Sequence, residues 1–480
     1  MTSEKSNSVA PSRGDEIDRT GGNEAPSPLT TAAQSNNQSK TMEKTQKNDP
    51  IVPRKYLVTF ILITSLFALW GFANDITNPM VAAFQTVMEI SAAKASLVQF
   101  AFYGGYATMA IPAALFIRRY SYKSGILLGL TLYAIGAFLF IPSAMMQQFG
   151  FFCVSLYVLT FGLAFLETTS NPYILSLGSK ATSTRRLNFA QAFNPMGSLS
   201  GMAVASLIVL PNLISDKRDA AGQLVFSTLS AAEKADIRVH DLAVIRNPSV
   251  VLGCVVVLMF VVIALFVKKS GATAAEDNAP KVSAATSLRR LWHNKEYREG
   301  VVAQLFYVAT QIMNWTFIIQ YADHLGINKA TAQNYNIIAM GMFLCGRFVS
   351  TYLMKYVNSR LLLMVFAIGG MCTITGVIFI EGMMGLYCLV ATSVFMSLMF
   401  PTIYGIALEN VELEDASLGA AFLVMAIVGG SLMPPLQGMI IDCGTLFGMP
   451  AVNVSFVLSF VCFLVIATYG YRTAKAKASR

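Results

Sequence analysis

With 480 residues, 55% of them hydrophobic and only 13% charged, at a mean hydropathy of +0.56, the chain carries far less charge than the ~25% usual in soluble domains. That composition excludes an ordinary soluble enzyme and predicts an all-α membrane protein. The net charge of +9 does not mark a nucleic-acid binder, because the basic residues sit in short clusters beside apolar runs, so the expected partner is the bilayer.

Residues 1–50 are rich in Ser, Thr, Asn, Gln, Lys and Glu and nearly free of large apolar side chains. Such a segment cannot bury enough surface to fold, and it reads as a disordered cytoplasmic tail. It has no short apolar core followed by a small-residue cleavage site, so it is not a signal peptide. From Tyr56 onward, runs near the ~20 residues needed to cross a bilayer recur at 56–83, 94–117, 123–145, 149–177, 187–211 and 247–268, then at 299–322, 332–355, 360–380, 384–408, 416–440 and 449–472. Twelve transmembrane helices are predicted.

Basic residues flank these runs on alternate ends: Arg54 and Lys55, then Arg118, Arg119 and Lys123, then Lys180, Arg185 and Arg186. Lys268, Lys269, Arg289, Arg290 and Lys295 continue the alternation, followed by Lys355 and Arg360 and finally Arg472, Lys475 and Lys477. By the positive-inside rule that side is cytoplasmic, which places both termini inside and the protein in the cytoplasmic (inner) membrane. The acidic loop Glu409 to Asp415 runs against the pattern, but acidic residues weigh little in it. The seven cysteines are scattered through apolar runs with no metal-ligand or disulfide spacing, so no metal site is expected.

A weak internal repeat divides the chain. YGGYATMAIPAALFIRRYSYKSGILLG after Phe102 is echoed by MGMFLCGRFVSTYLMKYVNSRLLLM after Ala339, each a small-residue helix, a basic turn and a new apolar run. NPYILSLG from Asn171 is likewise echoed by FPTIYGIALEN from Phe400. Parallel six-helix repeats are the pattern of the major facilitator fold, with its site near the bilayer midplane between two six-helix halves. The expected organisation is an N-terminal bundle at 51–268, a cytoplasmic linker at 269–297, a C-terminal bundle at 298–474 and a short cytoplasmic tail at 475–480.

Ionisable residues inside the predicted helices are few: Asp75 in the first, Glu167 in the fourth and Arg347 toward the cytoplasmic part of the eighth. An ionised carboxylate in hydrocarbon costs roughly 2.5 to 3.5 kcal/mol or more, so it persists facing a wet cavity or as a proton-binding group. None of the three histidines falls within a predicted span, which leaves Glu167 and Asp75 as the candidate proton carriers. The bland alternative is that each carboxylate is satisfied by neighbouring helices.

Polar stripes accompany them. Trp70, Asn74 and Asn78 lie along one face of the first helix, with Asp75 at its margin. Asn188, Gln191 and Asn194 recur every three residues in the fifth, and Gln304, Tyr307, Gln311 and Asn314 at three, four and three in the seventh. Gln99, Tyr103 and Tyr106 in the second helix and Tyr404 in the tenth complete the candidate lining, together with Asn171, which with Pro172 falls where the fourth helix is expected to bend. Interhelical hydrogen bonds are the competing explanation for such rows. Amides both donate and accept, so rows of them with aromatic neighbours suit a neutral polyol better than an ion. The basic turns at Arg118 and Arg119, and Arg347, are assigned to gating. No P-loop, HExxH or Ser-His-Asp arrangement is present, so neither a nucleotide-driven pump nor an enzyme has support.

These residues also carry a resemblance. FALWGFANDITN (Phe67 to Asn78), LVQFAFYGGYATMAIPA (Leu97 to Ala113), LETTSNPYILSLG (Leu166 to Gly178), RLNFAQAFNPMGSLSG (Arg186 to Gly201) and FMSLMFPTIYGIALEN (Phe395 to Asn410) resemble the fucose:proton symporter family of the major facilitator superfamily. The resemblance covers about Tyr56 to Ala474. It implies a monomeric secondary transporter for a monosaccharide, L-fucose first, with no cofactor beyond the coupling ion. It also implies that the glutamate matching Glu167 joins sugar recognition to proton coupling and that Gln191 and Asn194 contact sugar. One departure stands out: the family's first helix carries Asn-Asn-x-x-Asp after the tryptophan, whereas here Asp75 occupies the second amide position and Asn78 the acid position. With that exchange Asp75 can still serve the same cavity; because some family members take glucose, galactose or mannose and some use sodium, a sodium-coupled or uncoupled hexose transporter is the alternative. A transporter-like membrane receptor for sugar is the alternative from another class.

Overall fold

The computed structural model describes residues 50–90, 97–215, 217, 225–267, 283–327 and 329–478. Residues 1–49 of the predicted tail and 269–282 of the predicted linker fall outside those residues. Within them, twelve helices are long and apolar enough to cross a membrane: Arg54–Ile76, Phe100–Arg119, Tyr122–Met146, Phe149–Ser176, Lys180–Asn212 and Ala231–Phe266 in the first half, then Lys295–Ala322, Thr331–Leu353, Ser359–Phe379, Met383–Glu409, Leu413–Ile441 and Ala451–Ala476 in the second. They are called spans one to twelve below.

Local chemistry sets many of the ends. Ser121 opens span three by accepting from the Ser124 amide at 3.1 Å, and Asn358 opens span nine by accepting from Arg360 at 2.9 Å, each satisfying a donor that the first turn would otherwise orphan. Gln147 closes span three in a left-handed conformation, φ 52°. Prolines at positions 112, 172, 248, 434 and 435 lie inside helices, which membrane bundles tolerate where neighbours re-satisfy the backbone. Spans five, ten and eleven are interrupted: span five breaks between Ser183–Gln191 and Phe193–Val204, span ten between Met383–Met396 and Met399–Glu409, and span eleven passes through a tight turn at Ala426–Val428.

Two stretches depart from the sequence reading. Span six is predicted to begin at residue 247 but starts at Ala231, behind a reciprocal cap in which Ser230 Oγ accepts from the Glu233 amide while the Glu233 carboxylate accepts from the Ser230 amide. At 36 residues it is about 54 Å long against a hydrocarbon thickness of roughly 30 Å, so its polar first turns project beyond the membrane. His240, placed outside any span by hydropathy, lies on this extension with Nδ1 2.9 Å from Asp241 Oδ1. The second is a helix, Ala284–His293, within residues for which only a linker is predicted.

In a bilayer, helix association relies on close packing, hydrogen bonds and small residues at crossings, because lipid tails are as apolar as leucine. Spans one and five meet in this way. A Cβ on Gly197 would collide with the Ala68 carbonyl, and one on Gly71 with the Asn194 carbonyl. Gly197→Ala is therefore expected to force the two helices apart and lower the melting temperature in detergent, an overpacking cost of about 1–3 kcal/mol. Gly438→Ala, where a Cβ meets nothing within 4 Å, is the control that should melt like the native protein.

Candidate functional site

Span four is among the most buried of the twelve spans. From Gly162 to Ile174 every residue is buried, a burial pattern that normally demands an apolar surface all round. Yet Glu167, Thr168, Thr169, Ser170 and Asn171 follow one another here. Thr169 donates to the Phe165 carbonyl at 2.5 Å, whereas Thr168 Oγ1 and Ser170 Oγ are buried without a hydrogen-bond partner among the described residues. Such atoms are rare in native interiors and call for an explanation.

Glu167 is 7% exposed, and among the described residues its carboxylate makes neither a hydrogen bond nor an ion pair. Tyr106 of span two and Tyr404 of span ten lie within electrostatic reach of it, so groups from both halves surround the carboxyl. The Tyr404 hydroxyl is itself buried and is hydrogen-bonded to the Asn171 side chain. From there an aromatic row runs through Phe400, 6.3 Å from Tyr404, to Tyr307, 6.1 Å from Phe400, and the Tyr307 hydroxyl lacks a partner among the described residues. On the same helix as Tyr307, both amide atoms of the fully buried Gln304 are unmatched.

A second row ties this wall to span five. Gln191 Nε2 donates to Asn171 Oδ1 at 2.8 Å, and Asn194 Nδ2 donates to the Phe67 carbonyl of span one at 3.3 Å. Trp70, 5% exposed, packs against Phe67 with ring centroids 4.2 Å apart. Asp75 is hydrogen-bonded to Ser198 and lies within electrostatic reach of Tyr103, so it is partnered in a way that Glu167 is not. Asn74 is half-buried near it in sequence, and Gln311 is half-buried on span seven. The side chains of Asn78 and Gln99 lie outside those described.

Asn314 falls elsewhere. It is fully buried within the second half, accepting from Ser459 Oγ at 2.7 Å and donating toward Thr310 Oγ1 at 3.4 Å and Met396 at 3.5 Å. This amide fastens spans seven, ten and twelve together, which is the interhelical alternative to sugar binding.

Hydrogen bonds between the halves gather at the end bearing the basic flanks. Arg347 of span eight, 3% exposed, donates from Nε to the Ser397 carbonyl at 2.5 Å and from one terminal nitrogen to the Gln191 carbonyl of the opposite half at 3.0 Å. Its guanidinium stands over the Phe343 ring, 4.6 Å from the centroid. Asn188 Nδ2 donates across to Thr402 Oγ1 at 3.0 Å, and Arg185 Nε to the Thr351 carbonyl at 3.3 Å. Of the other residues assigned to gating, Arg118 is half-buried and Arg119 lies over the neighbouring Tyr120 ring at 5.7 Å.

Sequence reasoning did not single out Arg186, which is completely buried and caps span four by donating to the Ile174 carbonyl at 2.7 Å and the Leu175 carbonyl at 2.5 Å. The available signal was a cation just beyond a helix C-terminus, where it complements the helix dipole. Thr402, Ser397 and Ser198 were passed over too, since an isolated hydroxyl in an apolar run carries no pattern.

Comparison with known proteins bears on this arrangement. A sequence profile of the Major Facilitator Superfamily matches residues 58–434. The chain is 65% identical over 428 residues to an L-fucose-proton symporter of Haemophilus influenzae, covering 89% of this chain and 99% of that protein. It is 32% identical over 424 residues to the L-fucose-proton symporter of Escherichia coli, covering 88% and 95%. Among solved structures it resembles the major facilitator transporter FucP in the outward conformation, with a TM-score of 0.79 and 30% identity over 88% of this chain and 99% of that one.

Proposed function

The chain belongs to the major facilitator superfamily, within its fucose:proton symporter family, and from that premise we propose that it imports L-fucose together with a proton by alternating access. It is an integral membrane transporter and not an enzyme. We assign it to the cytoplasmic membrane with both termini inside, which makes the basic end cytoplasmic and 51–268 and 298–474 the two moving bodies. The Arg347, Asn188 and Arg185 contacts draw the two halves together at that end.

The observation that carries the reading is the buried Glu167 carboxyl, without a partner among the described residues and beside tyrosine hydroxyls from both halves. A charged carboxylate resists being enclosed by apolar helices, because removing its water costs several kcal/mol. Taking up a proton removes that resistance, so the halves can close around the site only when Glu167 is neutral. Sugar hydroxyls supply the donors and acceptors that Thr168, Ser170, Gln304 and Tyr307 lack among the described residues. Each ligand then makes closure easier for the other, a reciprocal coupling typically ~1–3 kcal/mol, about 5- to 150-fold in affinity.

Trp70, Asn74, Asn78, Gln99, Tyr103, Gln191, Asn194 and Gln311 are proposed as the remaining wall of the sugar site, and Asp75 as a second acid of the same compartment. Asn314 is left out for the bonds given above. The test is competition against labelled L-fucose in sodium-free proteoliposomes under an imposed proton gradient. L-Fucose should compete at least tenfold better than D-glucose or D-mannose, as expected of a site built to pair specific hydroxyls, with D-galactose and D-arabinose completing the panel. Equal competition by D-glucose, or uptake only after sodium is added, would contradict the assignment.

A further inference from the structure

Away from the central site, the basic end of the second half holds a cavity of about 720 Å³ between the Ala284–His293 helix, the start of span seven, span eleven and the end of span twelve. Its size falls in the range of ligand sites. Its wall is apolar, formed among others by Leu288, Val302, Phe422 and Leu464, and three of these are also open to the surroundings at 45%, 49% and 47% exposure for Leu288, Val302 and Leu464. Trp292, 66% exposed, stands at its edge. An exposed indole between an apolar groove and a basic rim is typical of the membrane–water interface, where one end is apolar and the other wet.

The mouth is cationic. Lys295, Arg298 and Arg472 line it, and the one acid among the lining residues, Glu299, is taken by Arg472 at 3.0 Å. Neighbouring acids are engaged as well: Glu296 pairs with Arg360 at 3.0 Å, and Glu412 with Arg290 at 2.6 Å. No carboxylate pairs with Lys295 or Arg298 among the described residues, and Arg298 instead leans over Trp292, 5.7 Å from its ring. The Ala284–His293 helix has its apolar residues Leu288, Leu291 and Trp292 on one side, with Leu291 buried near Gly419 of span eleven. That is the form of a helix lying in the interface plane.

We propose that this groove binds an anionic phospholipid of the leaflet at the basic end, its phosphate held by Lys295 and Arg298 and an acyl chain laid along the wall below Trp292. Such a lipid ties the segment joining the two halves to spans seven, eleven and twelve. A greasy groove alone takes any lipid; a pair of cations at its mouth, without acidic partners among the described residues, selects a negative headgroup.

Brominated phospholipids quench nearby tryptophans, so the full-length protein is reconstituted with brominated phosphatidylglycerol or brominated phosphatidylcholine diluted into unlabelled lipid. The difference between native protein and Trp292→Phe isolates the Trp292 signal from Trp70 and Trp315. Apparent affinity at Trp292 should favour phosphatidylglycerol by about fivefold or more, as two interfacial cations predict. In Lys295→Gln/Arg298→Gln, checked for native melting, the preference should fall to near one. Equal quenching by the two lipids in the native protein means bulk lipid only and overturns the proposal, as does a preference that survives in the double variant.

Discussion

Glu167→Gln is expected to abolish concentrative uptake of L-fucose while preserving exchange of labelled for unlabelled sugar across the membrane. Gln approximates the shape and hydrogen-bonding reach of the protonated acid, and it cannot ionise. The variant should therefore close around sugar at any pH, having lost the charge that opposes closure of the empty, deprotonated carrier. Accumulation falls from the ratio set by the proton gradient to simple equilibration, and exchange becomes insensitive to pH. Because the carboxylate has no partner among the described residues, removing its charge orphans no cation, and the fold should tolerate the change. Uptake assays in proteoliposomes with an imposed gradient separate the two modes. Unchanged accumulation would show that the proton is carried elsewhere, with Asp75 the next acid to examine.

Arg347→Ala should act on the opposite step. The guanidinium joins the Ser397 carbonyl of its own half to the Gln191 carbonyl of the other, and hydrogen bonds from a charged donor contribute about 1.5–3 kcal/mol each. Losing the inter-half bond alone should shift the balance between the two open states by about tenfold or more toward opening at the basic end. Hydrogen-exchange mass spectrometry reads this without labels: peptides covering 183–191 and 399–409 should exchange faster in the variant, while the interior of span three should not change. Arg347→Lys should give an intermediate result, since an ammonium lacks the planar fork that reaches two carbonyls at once. Unaltered exchange at both peptides would remove Arg347 from the gate.

The fold was legible because hydropathy is a sum over about twenty residues, and twelve such sums stand clear of the background. The same averaging hid the polar start of span six, although the Ser230 and Glu233 pair was readable as a cap. It also hid the Ala284–His293 helix, whose apolar positions at 288, 291 and 292 follow helical spacing. At the site, the intramembrane acid was readable because a lone carboxylate in an apolar run is costly. The fate of Asn314 was not, because its acceptor bond comes from Ser459, 145 residues away. Spacing identifies a stripe on a helix; it does not say which neighbour that stripe meets. The same limit applied at the gate, where Asn188 and Thr402 meet across 214 residues.

The central claim is that one proton enters Glu167 for each sugar admitted. The most direct measurement follows external pH with a sensitive electrode as L-fucose is added to weakly buffered, sodium-free vesicles containing the protein. Native protein should alkalinise the medium in proportion to the sugar taken up, and Glu167→Gln should take up sugar by equilibration with no pH change. Sugar entry into native vesicles without proton movement, or an undiminished pH response in the variant, would contradict the account.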